Sequence, residues 1–404
     1  MDEARLVYLD HAATTPVCST VLEAMMPFFQ KSFGNPSSLY PLAADSRRAI
    51  ENARSQVAEV LNCRSSEVVF NSGGTESDNS AIRGVAQALR ARGNHIITSS
   101  IEHYAVLNVC HSLEKDGFNV TYLPVDGFGL INPSDVSRAV TERTILVSIM
   151  YANNEIGTVE RIKEVSMLLR ERADYLGYAI PFHTDAVQAA GFLDLDVQEL
   201  GVDLLSLSAH KFYGPKGCGV LYIRTGTPYE PTQFGGSQEQ GRRAGTENTA
   251  GIVGTATALH LAAEQRQSVS EHCLRLRDTL IQGILARLHG TKLNGHPTLR
   301  LPNNAHFVFE GVDGEALIMG LALRGIAAST GSACSAGSLG PSHVLEAIGL
   351  DRELTWGNLR LSLGRDSSSE DVHQLLDAVE QLVHGQRAEE NDFPVPTGSP
   401  LASC

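Results

Sequence analysis

The chain has little of what would tie it to nucleic acid, a membrane or an oxidising compartment. Its 404 residues carry 32 Lys and Arg against 46 Asp and Glu, a formal net charge of −14. It therefore offers no basic face to a phosphate backbone or an anionic bilayer. No uninterrupted apolar stretch approaches the ~18 residues that a membrane-spanning helix needs. Met1-Asp2-Glu3-Ala4-Arg5 runs straight into a strand-like Leu6-Val7-Tyr8-Leu9, without the basic-then-apolar pattern of a secretory leader. A soluble, cytoplasmic protein is expected. The seven cysteines (Cys18, Cys63, Cys110, Cys218, Cys273, Cys334 and Cys404) are odd in number, scattered and free of CxxC pairs. Neither a disulfide framework nor a zinc site is indicated. A Walker A sequence and a Gly-x-Gly-x-x-Gly at a first strand are also missing, which speaks against a nucleotide cofactor.

What is present is an alternation. The chain exceeds the usual size of a single domain, so two are expected, and its 42% apolar residues can fill a substantial core. Helical periodicity is read over Val21–Phe29, Ala43–Leu61, Ser77–Ala91 and Arg161–Ala173. Strands are read at Val68–Phe70, His95–Thr98, Val120–Leu123, Ile145–Met150, Ala179–His183, Leu204–Leu207 and Gly219–Ile223. This order predicts an α/β fold in which a mixed, mostly parallel sheet lies between helices, with ligands at the carboxyl ends of its strands. A helical stretch over Thr249–Leu288 leads into a smaller α+β unit, with strands at His306–Phe309 and Leu359–Leu363 and helices at Gly314–Arg324 and Ser369–Val383. Residues 388–404 hold three prolines and little apolar periodicity, the composition of a disordered tail.

Four segments carry chemistry. Lys211 follows an apolar run in Leu205-Ser206-Leu207-Ser208-Ala209-His210-Lys211, so one amine is delivered to a sheet edge. There, loss of hydration lowers its pKa and frees it to act as nucleophile or proton shuttle. Asn71-Ser72-Gly73-Gly74-Thr75-Glu76-Ser77 follows a strand and opens a helix, which suits an anion: glycines admit close approach and the helix N-terminus adds positive potential. Asp185 ends another apolar strand, where a carboxylate can keep a ring nitrogen protonated, and Gln188 lies three residues on. His103, after a third strand, offers a flat imidazole for stacking or proton transfer. Taken singly, each has a plainer reading: a surface Lys in a turn, a helix cap, an N-cap carboxylate, a structural His. Together they are the parts that pyridoxal 5′-phosphate requires.

At this point the chain resembles a known family. Tyr8-Leu9-Asp10 with Ala13-Thr14-Thr15, Phe33-Gly34-Asn35-Pro36-Ser37-Ser38, Gly73-Gly74-Thr75-Glu76-Ser77, Asn153-Asn154-Glu155-Ile156-Gly157, Gly241-Arg242-Arg243-Ala244-Gly245-Thr246-Glu247-Asn248 and Ser332-Ala333-Cys334 match in order, as do the Asp185 and Lys211 segments. The match runs from about Leu6 to Val383, and it is similar to the cysteine desulfurases of the NifS/IscS type, pyridoxal phosphate enzymes of aminotransferase fold type I. The resemblance implies that Lys211 holds the cofactor as a Schiff base, Asp185 bonds its ring nitrogen, Gln188 its ring hydroxyl, and His103 stacks on the ring. It implies that Gly74, Thr75, Ser208 and His210 hold the phosphate, and that Thr246 reaches the phosphate of the other subunit of a homodimer. Asn154 and Asn35 would lie near the substrate, and Arg360 would clamp its carboxylate through bidentate hydrogen bonds. It further implies a division into an N-terminal segment 1–15 that packs with the small domain, a large cofactor-binding domain 16–264, a small domain 265–387 carrying the reactive cysteine, and the tail 388–404.

The implied activity is desulfuration of L-cysteine to L-alanine, with the sulfur carried as a persulfide on Cys334 to an acceptor or iron–sulfur scaffold protein. Cys334 sits among Gly, Ser, Ala and Thr, a composition that buries little and allows movement. The thiolate is the attacking form, with His103 a candidate proton acceptor. Two positions depart from the family: Tyr40 and Trp356, the single tryptophan, stand where His is usual. Selenocysteine lyase, which shares the fold, and a non-catalytic sulfur-transfer scaffold are the alternatives. A preference for selenocysteine would mark the first, and loss of Lys211 or Cys334 the second; both residues are present.

Overall fold

The computed structural model describes residues 5–331 and 341–392. In chain order these form β1 (Val7–Tyr8), α1 (Ser19–Met25), α2 (Pro27–Gln30), α3 (Pro41–Leu61), β2 (Val68–Asn71), α4 (Gly74–Ala88), β3 (His95–Ser99) and α5 (Tyr104–Lys115). Next come β4 (Asn119–Leu123), α6 (Pro133–Ala139), β5 (Thr144–Ser148), α7 (Ile162–Leu176), β6 (Phe182–Asp185), α8 (Val197–Leu200), β7 (Leu204–Ser208) and β8 (Gly219–Ile223). The last part holds α9 (Thr249–Arg287), β9 (Thr291–Asn294), β10 (Asn304–Phe309), α10 (Gly314–Ala322), β11 (Ile326–Ala327), α11 (His343–Ala347), α12 (Arg352–Trp356), β12 (Asn358–Ser362) and α13 (Ser369–Asp392).

The large sheet has strand order β2-β8-β7-β6-β5-β3-β4. All neighbours pair in parallel except β8, which is antiparallel to both β7 and β2. Because β8 is reversed against both partners, β2 runs in the same direction as β3 to β7. Their carboxyl ends therefore share one edge, and the segments that follow them collect there. Successive side chains alternate between faces. Ile97, Val147, Leu205, Leu207 and Val220 pack with α1, α3, α7 and the start of α9, whereas Ile96, Ile145, Leu204, Leu221 and Ile223 pack against α4 and α5. The sheet is thus buried on both faces, as a parallel sheet must be.

A second core forms where the antiparallel sheet β12-β10-β9 packs on the later part of α9, α10 and α13, around Leu280, Phe307, Leu321, Leu361 and Val379. Val7 and Leu9 join this core, and β1 pairs in parallel with β11. The 39-residue α9 runs unbroken from one core to the other, about 58 Å at 1.5 Å per residue.

Local chemistry explains where the elements depart from expectation. The helix read over Val21–Phe29 is divided into α1 and α2 at Pro27, whose ring removes an N–H donor. The strand read at Ala179–His183 begins instead after Pro181 and ends on Asp185. The helix read from Ser77 starts one turn earlier, on Gly74. α13 continues past Val383 to Asp392, into the segment read as tail. Helices α5 and α6 and the two-residue strand β11 were not anticipated, whereas β1 falls within the strand-like run Leu6-Val7-Tyr8-Leu9.

Candidate active site

Loops and turns at the shared carboxyl edge enclose a cavity of about 330 Å³. Its walls bring together Ala12, Ala13, Gly74, Thr75, Asp78, His103, Met150, Asn154, Asp185, Val187, Gln188, Ser208, His210, Lys211 and Arg360. Each arrives for a local reason. β7 ends at Ser208, and a single turn, Ala209–Lys211, swings the lysine to the edge. Lys211 Nζ donates to the carbonyls of Ala12 (2.6 Å) and Ala13 (2.8 Å). His103 is the N-cap of α5, its Nδ1 accepting from Ala105 N–H at 3.1 Å. In the neutral ring Nε2 therefore carries the hydrogen, and proton exchange falls to that nitrogen.

Asp185 closes β6, and its Oδ1 accepts from Val187 N–H at 2.9 Å. Burial raises its pKa, against the opposing pull of His103, that N–H and Lys211. Gln188 Nε2 donates to Ala12 O at 2.9 Å. His210 Nδ1 meets Thr14 Oγ1 at 3.0 Å, and burial, with Lys211 and Lys216 nearby, pushes its pKa down to about 4.

The start of α4 makes the anion cup. Gly73 takes φ +146° and faces Ser208 Oγ, and a Cβ on Gly74 would meet Val187 Cγ2 at 2.8 Å. A side chain at either position would be strained or would close the cradle, so the first turn presents bare N–H groups beside Thr75 and Ser208. This donor set fits pyridoxal phosphate: an anion cup, a buried carboxylate and an amine within one enclosed volume of the size that small cofactors occupy.

Arg360, on β12, enters from the small sheet. Its side chain is 3% exposed and its Nη2 donates to Asp10 Oδ1 at 2.8 Å. Nη1 donates to Asn154 O (3.0 Å) and Gly331 O (3.3 Å), whereas Nε is buried with no hydrogen-bond partner among the described residues. Gly331 N–H donates to Asn358 Oδ1 at 3.1 Å, and Ser342 Oγ donates to Glu155 Oε2 at 2.5 Å. Cys334 lies outside the described residues, as does Cys404.

Two other expected site residues stand apart from this cavity. Thr246 lines a separate cleft with Asn71, Ser72, Gly219, Glu239 and Arg243. Asn35 is exposed, its Oδ1 accepting from Ser37 N–H at 3.0 Å. Tyr40 and Trp356 are about half exposed, 50% and 51%. Sequence reasoning missed Asp10, the Ala12 and Ala13 carbonyls, and Asp78. The last had a signal: it lies one turn after Gly74 on a helix whose buried face includes Ser77, Ala81, Ile82 and Val85, an odd place for a carboxylate. Among the described residues, no helix is long and apolar enough to cross a membrane.

Comparison with known proteins gives the family. Residues 7–375 match the family model for class-V aminotransferases. The chain is 52% identical over 385 residues to a cysteine desulfurase IscS of Methanosarcina thermophila, covering 95% of this chain and 94% of that one. Among solved structures, a NifS-like protein superposes with a TM-score of 0.88 at 37% identity, over 94% of this chain and all of the other. A structure of SspA in complex with cysteine gives 0.78 at 39% identity, over 89% and 99%.

Proposed function

The chain belongs to the class-V aminotransferase family, in its cysteine desulfurase branch, and on that footing we propose that it removes sulfur from L-cysteine and leaves L-alanine. It is an enzyme of fold type I, and pyridoxal 5′-phosphate is its cofactor. The observation that carries the reading is convergence: Lys211, Asp185, His103 and the Gly74–Thr75–Ser208 cup line one cavity with Arg360, although they come from five separate stretches of chain.

Pyridoxal phosphate, when bound, supplies an aldehyde for the amines and a ring that draws electrons from the substrate Cα. Asp185 would keep a proton on the ring nitrogen, the Gly74, Thr75, Ser208 and His210 donors would hold the phosphate, and Gln188 would serve the ring hydroxyl. Arg360 orients the substrate carboxylate, with Asn154 beside it and Asn35 nearer the entrance. Lys211 takes the Cα proton. The Cys334 thiolate attacks the substrate sulfur; an S–S bond forms, the C–S bond breaks, and protonation of the carbon product yields alanine. His103 accepts the thiol proton.

The proposal extends to a homodimer in which Thr246 serves the other subunit's phosphate, and to transfer of the persulfide sulfur to an acceptor or iron–sulfur scaffold protein. It includes the division at residues 15, 264 and 387; packing of Val7 and Leu9 in the small-sheet core supports the first boundary. A cytoplasmic location accords with five free cysteines among the described residues.

The test is alanine and sulfide release from L-cysteine by cofactor-loaded enzyme in a thiol reductant. Cys334→Ser should keep the bound cofactor's visible absorbance and its change on adding cysteine, yet release no sulfide. Sulfide release at the unaltered rate would refute the role of that thiol.

A further inference from the structure

Asp185 has a second carboxyl behind it. His183 precedes it by two on β6 and shares its face of the sheet. The His183 ring is held between hydroxyls: Nδ1 lies 2.9 Å from Ser148 Oγ on β5, and Nε2 lies 2.9 Å from Ser206 Oγ on β7. Asp78 reaches the same place from α4. Its side chain is 2% exposed and its Oδ1 lies 3.6 Å from His183 Nε2. That oxygen has no hydrogen-bond partner among the described residues, and Asp78 also lines the cavity.

Two carboxyls sharing so dry a space cannot both be ionised. Their surroundings decide which keeps the proton. Burial raises the pKa of Asp185, but there His103, the Val187 N–H that it accepts and Lys211 all oppose the rise. Burial raises the pKa of Asp78 well above the carboxylate range, and the like charges of Asp185 and Glu102 add to it, against the opposing pull of Ser206. His183 supplies no compensating cation, because burial pushes its pKa down to about 3. Glu102, whose Oε1 accepts from Ser99 Oγ and Met150 N–H, is itself pushed up to about 8 by burial.

We propose that Asp78 is a positioning residue for the cofactor site: packed neutral against His183 and Ser206, it leaves the negative charge of this buried group on Asp185, facing the pyridine nitrogen. The inference rests on the assignment of Asp185 made above.

Infrared spectra of the cofactor-loaded enzyme test it directly. Asp78→Asn, which copies a neutral carboxyl in shape, should delete one carbonyl stretch of a protonated carboxylic acid; Glu102→Gln identifies its own band separately. The pH midpoint of the cofactor's visible absorbance should move by less than about one unit in Asp78→Asn, since deleting a buried charge would move it by more. An intact infrared band or a larger shift overturns the proposal. Should Asp78→Asn not fold, Ser206→Ala removes the hydroxyl beside Asp78 and should shift the same band without deleting it; an unmoved band is the contrary result. Failure of the Asp185 assignment shows independently, as a visible spectrum and titration indifferent to Asp185→Asn.

Discussion

Replacing Arg360 by Lys gives the sharpest test of substrate recognition. Three of the guanidinium's hydrogen bonds are already committed, to Asp10, Asn154 O and Gly331 O. The edge carrying Nε has no partner among the described residues, and with a second hydrogen on Nη2 it forms a fork open to a carboxylate. Lysine keeps the charge and can supply one of those two bonds. The loss is therefore one charge-assisted hydrogen bond, about 1.5–3 kcal/mol. At about 1.4 kcal/mol per tenfold, kcat/KM for L-cysteine should fall about 10- to 150-fold. The loss should appear mainly in KM, with cofactor absorbance per subunit unchanged. Asp10→Asn is the companion: it loosens the tether but keeps the fork, and its KM should rise less than that of Arg360→Lys. A kcat/KM for Arg360→Lys within about threefold of the parent, at equal cofactor loading, would show that the carboxylate is held elsewhere.

Lys211→Ala should lose the visible absorbance that borohydride reduction fixes in the parent enzyme; a reducible chromophore of undiminished intensity would place the linkage on another lysine. Glu102→Gln should change the pH dependence of stability. The folded-state pKa of Glu102, about 8, lies above its ordinary 4.5, so the buried neutral form stabilises the fold fully below pH 4.5, and this is lost as pH rises towards 8. The stability of the parent to denaturant should decline over that window relative to the variant, and parallel curves would refute the assignment. Glu239→Gln should cost about 3–5 kcal/mol in the same assay. Arg54 holds the Glu239 carboxylate at 2.7 and 2.8 Å, both side chains are buried, and Phe70 N–H donates to it as well. A loss below about 1 kcal/mol, the size of an exposed ion pair, would contradict that account.

Strands of the large sheet were legible because burial on both faces makes them near-continuous apolar runs, as in Leu204–Ser208 and Gly219–Ile223. β11, two residues long, is too short to show any period. α5 was hidden by its own N-cap: His103 was read for its chemistry, and the turn it begins went unread. The lining of the cavity was legible wherever a side chain invites a chemical reading, as at Lys211, Asp185 and the Gly74–Thr75 turn. Backbone contributions leave no such mark. Nothing in the identity of Ala12 or Ala13 says that their carbonyls take the hydrogen bonds of a lysine almost two hundred positions away. Asp10 stood within a quoted motif, but only the tertiary packing of β12 against the N-terminal segment, through the Asp10–Ser362 bridge, gives it Arg360 as partner.

The same N-terminal stretch carries a practical warning. Oxygens of two alanine peptides seat the Lys211 amine, and the strand leading to them is zipped to Ile326-Ala327. An affinity tag or a shortened start that disturbs the first dozen residues would reach the heart of the enzyme without altering one of its chemically active groups, and would pass for a faulty preparation.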